Sequence, residues 1–329
     1  MRAIVLHQHG PLENLVLEER PAPVPGPNEV LVDVHAAGVN FPDLMVVEGS
    51  YQLLPPRPFS PGKDLAGVVA AVGREVTTCR VGDRILAQVE WGAFAEQCVV
   101  PAPQCFVMPQ KMPYEEGAAF GLVYLTAYFA LVERAEFKPG DSVLVNGAAG
   151  GVGLASVQIA KALGATVLAA VDSDEKAALA TENGVDRVVR TDVPDLKDAL
   201  RAQVHEFTDK RGVDIVIDPV GGDVFDASLR ALAWCGRLVV IGFAGGGIPE
   251  VKAGYLLVKN ISVIGLQVTD YRDREPHKWR AAQAKLFEFY EHGRFRPHVM
   301  AVYPMEKFRD ALSAVHERRV LGKVVIAIR

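Results

Sequence analysis

The sequence predicts an α/β protein in two parts, a β-barrel-type unit and a doubly wound parallel sheet of six strands. From Ala3 to about Pro109, short β-branched runs (AIVL, VLVDVHAAGV, LAGVVAAVG, DRILAQV, AFAEQCVV) are broken by Gly and Pro, as in a small barrel of strands and turns. From Ser142 the character changes. VLVNGAAGGVGLASVQIAKALGATVLAAVDSDEKAALATENGVDRVVR alternates strand and helix at the spacing of βαβ units, which implies a parallel sheet.

Further strands are expected at 214–217, 237–241 and 261–266, with helices near 195–207 and 224–233, completing six parallel strands. Helical patterns at 279–292 and 305–317 and a closing apolar strand, KVVIAI, come after the sheet is complete, so they are assigned back to the first unit. The expected division is therefore 1–122 with 270–329 for the β-rich domain, and 123–269 for the parallel-sheet domain.

A chain of 329 residues has room for two cores. Its net charge of −5, with no run of like charges, argues against a nucleic-acid partner. The N-terminus MRAIVLHQHG has no apolar h-region behind it, and no segment approaches the roughly 18 apolar residues of a membrane span, so a cytoplasmic protein without membrane contact is expected. Cys79, Cys98, Cys105 and Cys235 show neither a CxxC pair nor a His at metal-ligand spacing, and are expected to be reduced and mostly buried.

The strand ending at Asn146 runs directly into GAAGGVG and then into a helical pattern, the context a dinucleotide-binding fingerprint requires. In register with G-x-G-x-x-G, Ala148 stands first, Gly150 second and Gly153 third. Ala148 is tolerable if its φ stays negative. Gly150 would let the backbone approach a pyrophosphate and Gly153 would let helix and strand pack closely. The N–H groups of Ala149, Gly150, Gly151, Val152 and Gly153 would face the phosphates at the helix start. This is a Rossmann signature.

With these motifs in place, the chain resembles the zinc-independent NADPH:quinone oxidoreductase branch of the medium-chain dehydrogenase/reductase superfamily over essentially its whole length. The motifs are AAGVNFPDLMVVEGSY, PGKDLAGVVAAVG, VGDRI, GLVYLTAYFAL, KPGDSVLVNGAAGGVGLASVQIAKALGA, IGFAGG and GKVVI. The resemblance implies a GroES-like catalytic domain built from both chain ends around a Rossmann domain. Where zinc-dependent relatives place Cys, a His-Glu pair and a second Cys, this chain has Asn40, Lys63 with Asp64, and Leu122, so no catalytic metal is expected. The relatives' cysteine-rich lobe for structural zinc is also missing, since the stretch 87–99 runs directly from strand to strand, and no structural metal is expected.

The resemblance also implies site residues. Tyr51 and Asn40 would line the acceptor cleft as hydrogen-bond donors, Asn40 touching the cofactor as well. Asn40 has a competing structural role, because Asn-Phe-Pro-Asp also reads as a helix cap with Asp43. Relatives often carry Arg where Val47 stands, which weakens inference about the acceptor. Lys63 reads as a surface lysine or a local ion pair. Thr126, Phe243, Ala244, Leu266 and Lys323 are inherited cofactor contacts.

Near the adenosine ribose the signals conflict. Asp172 favours a free 2′-hydroxyl, Ser173 and Lys176 match the family's 2′-phosphate pattern, and Arg190 adjoins Thr191, which replaces the family's Tyr. The balance favours NADPH, with NADH possible. The implied activity is hydride transfer from nicotinamide to a quinone. Reduction of an enone or enoyl compound is the nearest alternative, and a non-catalytic dinucleotide-binding structural or sensor protein is the alternative from another class. The resemblance implies a homodimer through edge strands near Val263.

Overall fold

The computed structural model describes residues 1–329. The chain opens with β1 (Arg2–Leu6), β2 (Leu15–Glu19), β3 (Glu29–Val39), helix α1 (Phe41–Glu48), β4 (Asp64–Val72), β5 (Arg84–Gln88), β6 (Gln97–Pro101), β7 (Cys105–Val107) and α2 (Tyr114–Ala118). Helix α3 (Gly121–Tyr128) leads into β8 (Ser142–Asn146), α4 (Gly151–Ala162), β9 (Thr166–Val171), α5 (Asp174–Glu182), β10 (Arg187–Arg190), α6 (Leu196–Phe207), β11 (Val213–Asp218), α7 (Gly222–Arg230), β12 (Leu232–Val240), α8 (Ala253–Lys259) and β13 (Ser262–Gly265). The chain closes with α9 (Val268–Arg274), α10 (Pro276–Glu291), β14 (Val299–Pro304), α11 (Phe308–His316) and β15 (Lys323–Ala327).

Two compact units result, Met1–Leu122 with Arg296–Arg329, and Val123–Phe295. In the first, a seven-stranded sheet runs β14-β15-β3-β4-β5-β7, with β6 also on β3, and β1 and β2 form a separate ribbon. The first half of β3 alternates half-buried and buried residues, as expected of a strand with one face on a core. β15 pairs antiparallel with β3, Val324 opposite Val39, so the C-terminus of the chain is sewn into the N-terminal unit. The core gathers Leu44, Val47, Leu65, Phe94, Phe308 and Val324.

In the second unit six strands run β10-β9-β8-β11-β12-β13, all parallel. β8, in the middle, is buried along its whole length, which explains why it reads as an unbroken apolar run. The strand order reverses between β8 and β11, and ligands of such sheets bind outside the carboxyl ends of the strands at that point.

One expectation is corrected. The segment 270–295, assigned from sequence to the first domain, belongs to the second unit. The cause is aromatic packing: Trp279 of α10 is buried with its ring 5.8 Å from that of Phe129, which in turn lies 4.4 Å from the ring of Tyr271. Lys278 adds an ion pair to Glu133 at 2.8 Å. Of the cysteines, Cys98 and Cys105 are buried, Cys79 is half-buried and Cys235 is exposed. No helix is long and apolar enough to cross a membrane.

Candidate active site

Each unit carries one cluster of candidate residues. In the second unit, the candidates other than Thr126, on α3, lie in segments at or just beyond the carboxyl ends of the parallel strands. The glycine loop follows β8. Gly147 takes the left-handed conformation (φ +59), and Ala148 keeps a negative φ, so the departure from glycine at the first motif position carries no strain. Gly153 is required: a Cβ there would lie 2.0 Å from the Gly147 carbonyl oxygen. Gly150 is the N-cap of α4 and offers no side-chain cap, which leaves the first N–H groups of Gly151–Gly153 for a ligand. A pyrophosphate fits this loop, since backbone donors and the helix dipole converge with no side chain in the way.

A buried brace holds that loop. Asn146, the last residue of β8, donates to Asp218 at the end of β11 (2.9 Å) and accepts from Ser228 (3.0 Å). Asp218 also accepts from the N–H of Gly221 at 3.1 Å. Burial pushes the Asp218 carboxyl above its ordinary range, against the pull of Asn146 and the backbone donors. Next to it, the N–H of Ala244 donates to Pro219 (3.1 Å), and Phe243 packs at Gly221, where a Cβ would meet its ring at 3.1 Å. Leu266 follows β13 and donates its N–H to Val240. Thr126 is buried on α3.

Ser173 caps α5, accepting from the N–H of Lys176 at 3.3 Å. The cations expected at a 2′-phosphate are both paired. Lys176 Nζ is 2.7 Å from Asp172, while Arg190 engages Asp174 and, at 2.6 Å, Asp192. The site thus holds two cations among three carboxylates, all of the latter at least partly exposed.

In the first unit, α1 and β4 bring Asn40, Asp43, Lys63 and Asp64 together, all buried, and β15 adds buried Lys323. Asn40 Nδ2 donates to Asp64 at 2.9 Å and to the Gly38 carbonyl at 3.3 Å, and Asn40 Oδ1 accepts from Lys323 Nζ at 2.6 Å. Lys323 donates also to the Val39 carbonyl at 2.7 Å. The other Asp64 oxygen accepts from the Leu122 N–H at 2.9 Å, and Gly121 has to lack a side chain because a Cβ would lie 2.4 Å from that oxygen. Burial raises the Asp64 carboxyl and lowers the Lys323 ammonium from their ordinary values, each partly restored by the other's charge.

These contacts bear on three expectations. Asn40 stands at the N-cap of α1, where its backbone N–H is bound by Asp43 at 2.8 Å, but both N–H groups of its amide are spent inside the cluster. It orients neighbours and is no free donor. Lys323, expected at the cofactor, turns its ammonium inward to Val39 and Asn40. Lys63 forms the local ion pair expected of it, with Glu90 at 2.9 Å, but is no surface lysine: it is 4% exposed and lies 4.6 Å from the centre of the Tyr51 ring. The half-buried Tyr51 has no hydrogen-bond partner for its hydroxyl, so that donor is available.

Sequence reasoning passed over Asn146, Asp218 and the hub role of Asp64. A signal existed for the first two, because a polar residue closing each of two buried apolar runs, VLVN and IVID, sits where neighbouring parallel strands end.

Residues 26–110 match the alcohol dehydrogenase GroES-like domain, and residues 151–288 match the family described as zinc-binding dehydrogenase. Mouse quinone oxidoreductase-like protein 2 is 39% identical over 315 residues, spanning 95% of this chain and 89% of that protein. The human synaptic vesicle membrane protein VAT-1 homolog is 34% identical, spanning 99% and 86%. The crystal structure of Escherichia coli quinone oxidoreductase complexed with NADPH superimposes with a TM-score of 0.91 at 30% identity, covering 99% of this chain and 100% of that one. On this likeness of sequence and fold, the chain belongs to the quinone oxidoreductase branch of the medium-chain dehydrogenase/reductase superfamily.

Proposed function

We propose that the protein is an NADPH-dependent, zinc-independent quinone oxidoreductase. The observation that carries this reading is the mutual satisfaction of Asn40, Asp64 and Leu122. These are three of the positions at which zinc-dependent relatives keep metal ligands, and here they bond to one another with the Lys323 ammonium beside them. Both Asp64 oxygens and the Asn40 oxygen are already engaged, and a cation sits next to them, a donor set and charge that disfavour zinc.

Bound NADPH supplies the hydride. The start of α4 binds the pyrophosphate, with Gly150 and Gly153 giving the backbone close approach, and the Asn146–Asp218 brace holds the loop in register. Backbone groups at Phe243, Ala244 and Leu266, with Thr126, are assigned to the nicotinamide end. Lys176, Arg190 and Ser173 are assigned to the 2′-phosphate. An exposed pair such as Lys176–Asp172 contributes only about 0.2–1 kcal/mol, so a phosphate dianion can take the place of Asp172. NADPH complexes of relatives support the same preference.

Without a metal, the acceptor has to spread its own developing charge, as quinones do, and a preorganised donor has to meet it. Tyr51 is assigned that role, with Asn40 as a positioning residue. A homodimer through the edge strand β13 is proposed from the family likeness. The test is NADPH oxidation on addition of a simple quinone. Stoichiometric NADPH binding without turnover over a panel of quinones and enones would instead favour a non-catalytic member, and turnover of enones alone would move the assignment to that substrate class.

A further inference from the structure

We propose that the second unit carries a second anion site, distinct from the glycine loop, for a ligand with two or more ionised phosphates. The site is a cavity of about 310 Å³ whose walls carry Arg201, His205, Lys210, Arg211, Arg230 and Lys259, and no Asp or Glu. Trp234, 77% exposed, and Tyr255 complete its polar and aromatic lining.

A bland explanation exists, since α6, α7 and α8 all end here and place His205, Arg230 and Lys259 in their last turns. Cations at helix C-termini offset the macrodipole. The magnitudes decide against this as a full account. Three helix ends supply roughly half a negative charge each, and Asp198, 3.2 Å from Arg230, adds one more. Asp209, next to Lys210 in the chain, offsets a further one. Five formal positive charges stand against them, leaving an excess of roughly one to two, on a chain whose net charge is −5. Of the other nearby acids, Glu206 pairs with Arg187 and Asp226 with Lys197. Arg201, Lys210, Arg211 and Lys259 form no ion pair. The field is felt locally: burial and then Arg201 and Lys259 hold the His205 imidazole below its ordinary value.

The cavity is not the cofactor site seen from another side. Its residues precede β11 and β13 and precede or open β12, whereas the glycine loop follows the carboxyl end of β8. The six residues of β11 put those two edges of the sheet roughly 20 Å apart. Guanidinium and ammonium groups with uncompensated charge recognise phosphate oxygens through charge-assisted hydrogen bonds. The phosphates can come from a free di- or triphosphate or from a polyphosphorylated lipid headgroup.

The test reads Trp234 fluorescence in the full-length protein saturated with NADP⁺, so that the glycine loop is occupied. Inorganic pyrophosphate is titrated in one arm, and vesicles of phosphatidylcholine with a few per cent phosphatidylinositol bisphosphate in the other. A saturable change with half-effect below about 1 mM phosphate ligand is expected in at least one arm. It should be absent in Trp234→Phe, and weakened roughly tenfold or more in Lys210→Gln/Arg211→Gln. These exposed substitutions should leave NADP⁺ affinity and thermal stability unchanged. A response in the pyrophosphate arm identifies a free phosphate, and one confined to vesicles identifies a headgroup. No saturable response in either arm, or one that the double variant retains in full, overturns the proposal.

Discussion

The two units handle charge in opposite ways. The first buries Asp43, Asp64, Lys63 and Lys323 around Asn40, where the low dielectric makes every contact strong and every unpaired group costly. The second leaves Asp172, Lys176, Asp174, Arg190 and Asp192 in pairs that water reaches. A buried network fixes one arrangement of side chains. Exposed pairs are cheap to exchange for a ligand's phosphate. Under the proposed function, the contrast suits a catalytic surface held fixed and a cofactor site whose ion pairs exchange for phosphate.

The largest effect is expected of Lys323→Met, which leaves Asp64 and Asp43 buried without this cation and the Val39 carbonyl without its donor. Removing one partner of a buried charge cluster costs about 3–5 kcal/mol, read as a lowered denaturant midpoint. A loss under about 1 kcal/mol would mean the cluster behaves like a surface pair.

Next comes Asp43, whose carboxyl is pushed up by burial, against the pull of Lys63, from 3.8 to about 7. Its Oδ1 has no partner. Because the folded state retains a proton that the unfolded chain releases, this group's contribution to stability is full below pH 4 and is lost as pH rises to about 7. Asp43→Asn, which keeps an acceptor for the Asn40 N–H, should remove this fall, of order 2–4 kcal/mol, from the stability–pH profile. An identical pH profile in wild type and variant would show that Asp43 is ionised throughout.

These two residues also mark what the sequence could not reveal. The glycine loop was legible because strand, turn and helix are contiguous in the chain and the constraint is local: Gly153 has no room for a Cβ. The six-stranded sheet was legible because buried parallel strands read as apolar runs. The buried cluster joins positions 24 and 283 residues apart, and no local pattern announces that Asn40 will be held from two sides. Asn40 therefore read as a donor or a cap: it is the cap of α1, and its amide is fully used within the cluster. The segment 270–295 was misplaced for a similar reason, since counting strands says nothing about where Trp279 will find aromatic partners.

Smaller effects sharpen the catalytic side. Tyr51→Phe should lower kcat/KM for quinones roughly tenfold, about 1.4 kcal/mol, with NADPH affinity unchanged, since the ring and its contact with Lys63 are kept. Parent rates with every acceptor would make Tyr51 a wall of the pocket. On the exposed side the effects are smaller still. Lys176→Ala should narrow the NADPH to NADH preference severalfold, within about 1 kcal/mol, and Asp172→Ala should widen it. If NADH is the better cofactor of the unmodified protein, Asp172 governs the ribose and Lys176 serves only to pair with it.

Under the proposed function, a closed hydrogen-bonded cluster stands where zinc-dependent relatives keep a catalytic metal. The most direct test is NADPH–quinone turnover measured before and after exhaustive chelation, with the metal content of the same sample determined alongside. Unchanged turnover in protein holding far less than one metal ion per chain is the predicted result. Stoichiometric zinc, with activity lost on its removal and restored on its return, would contradict the account.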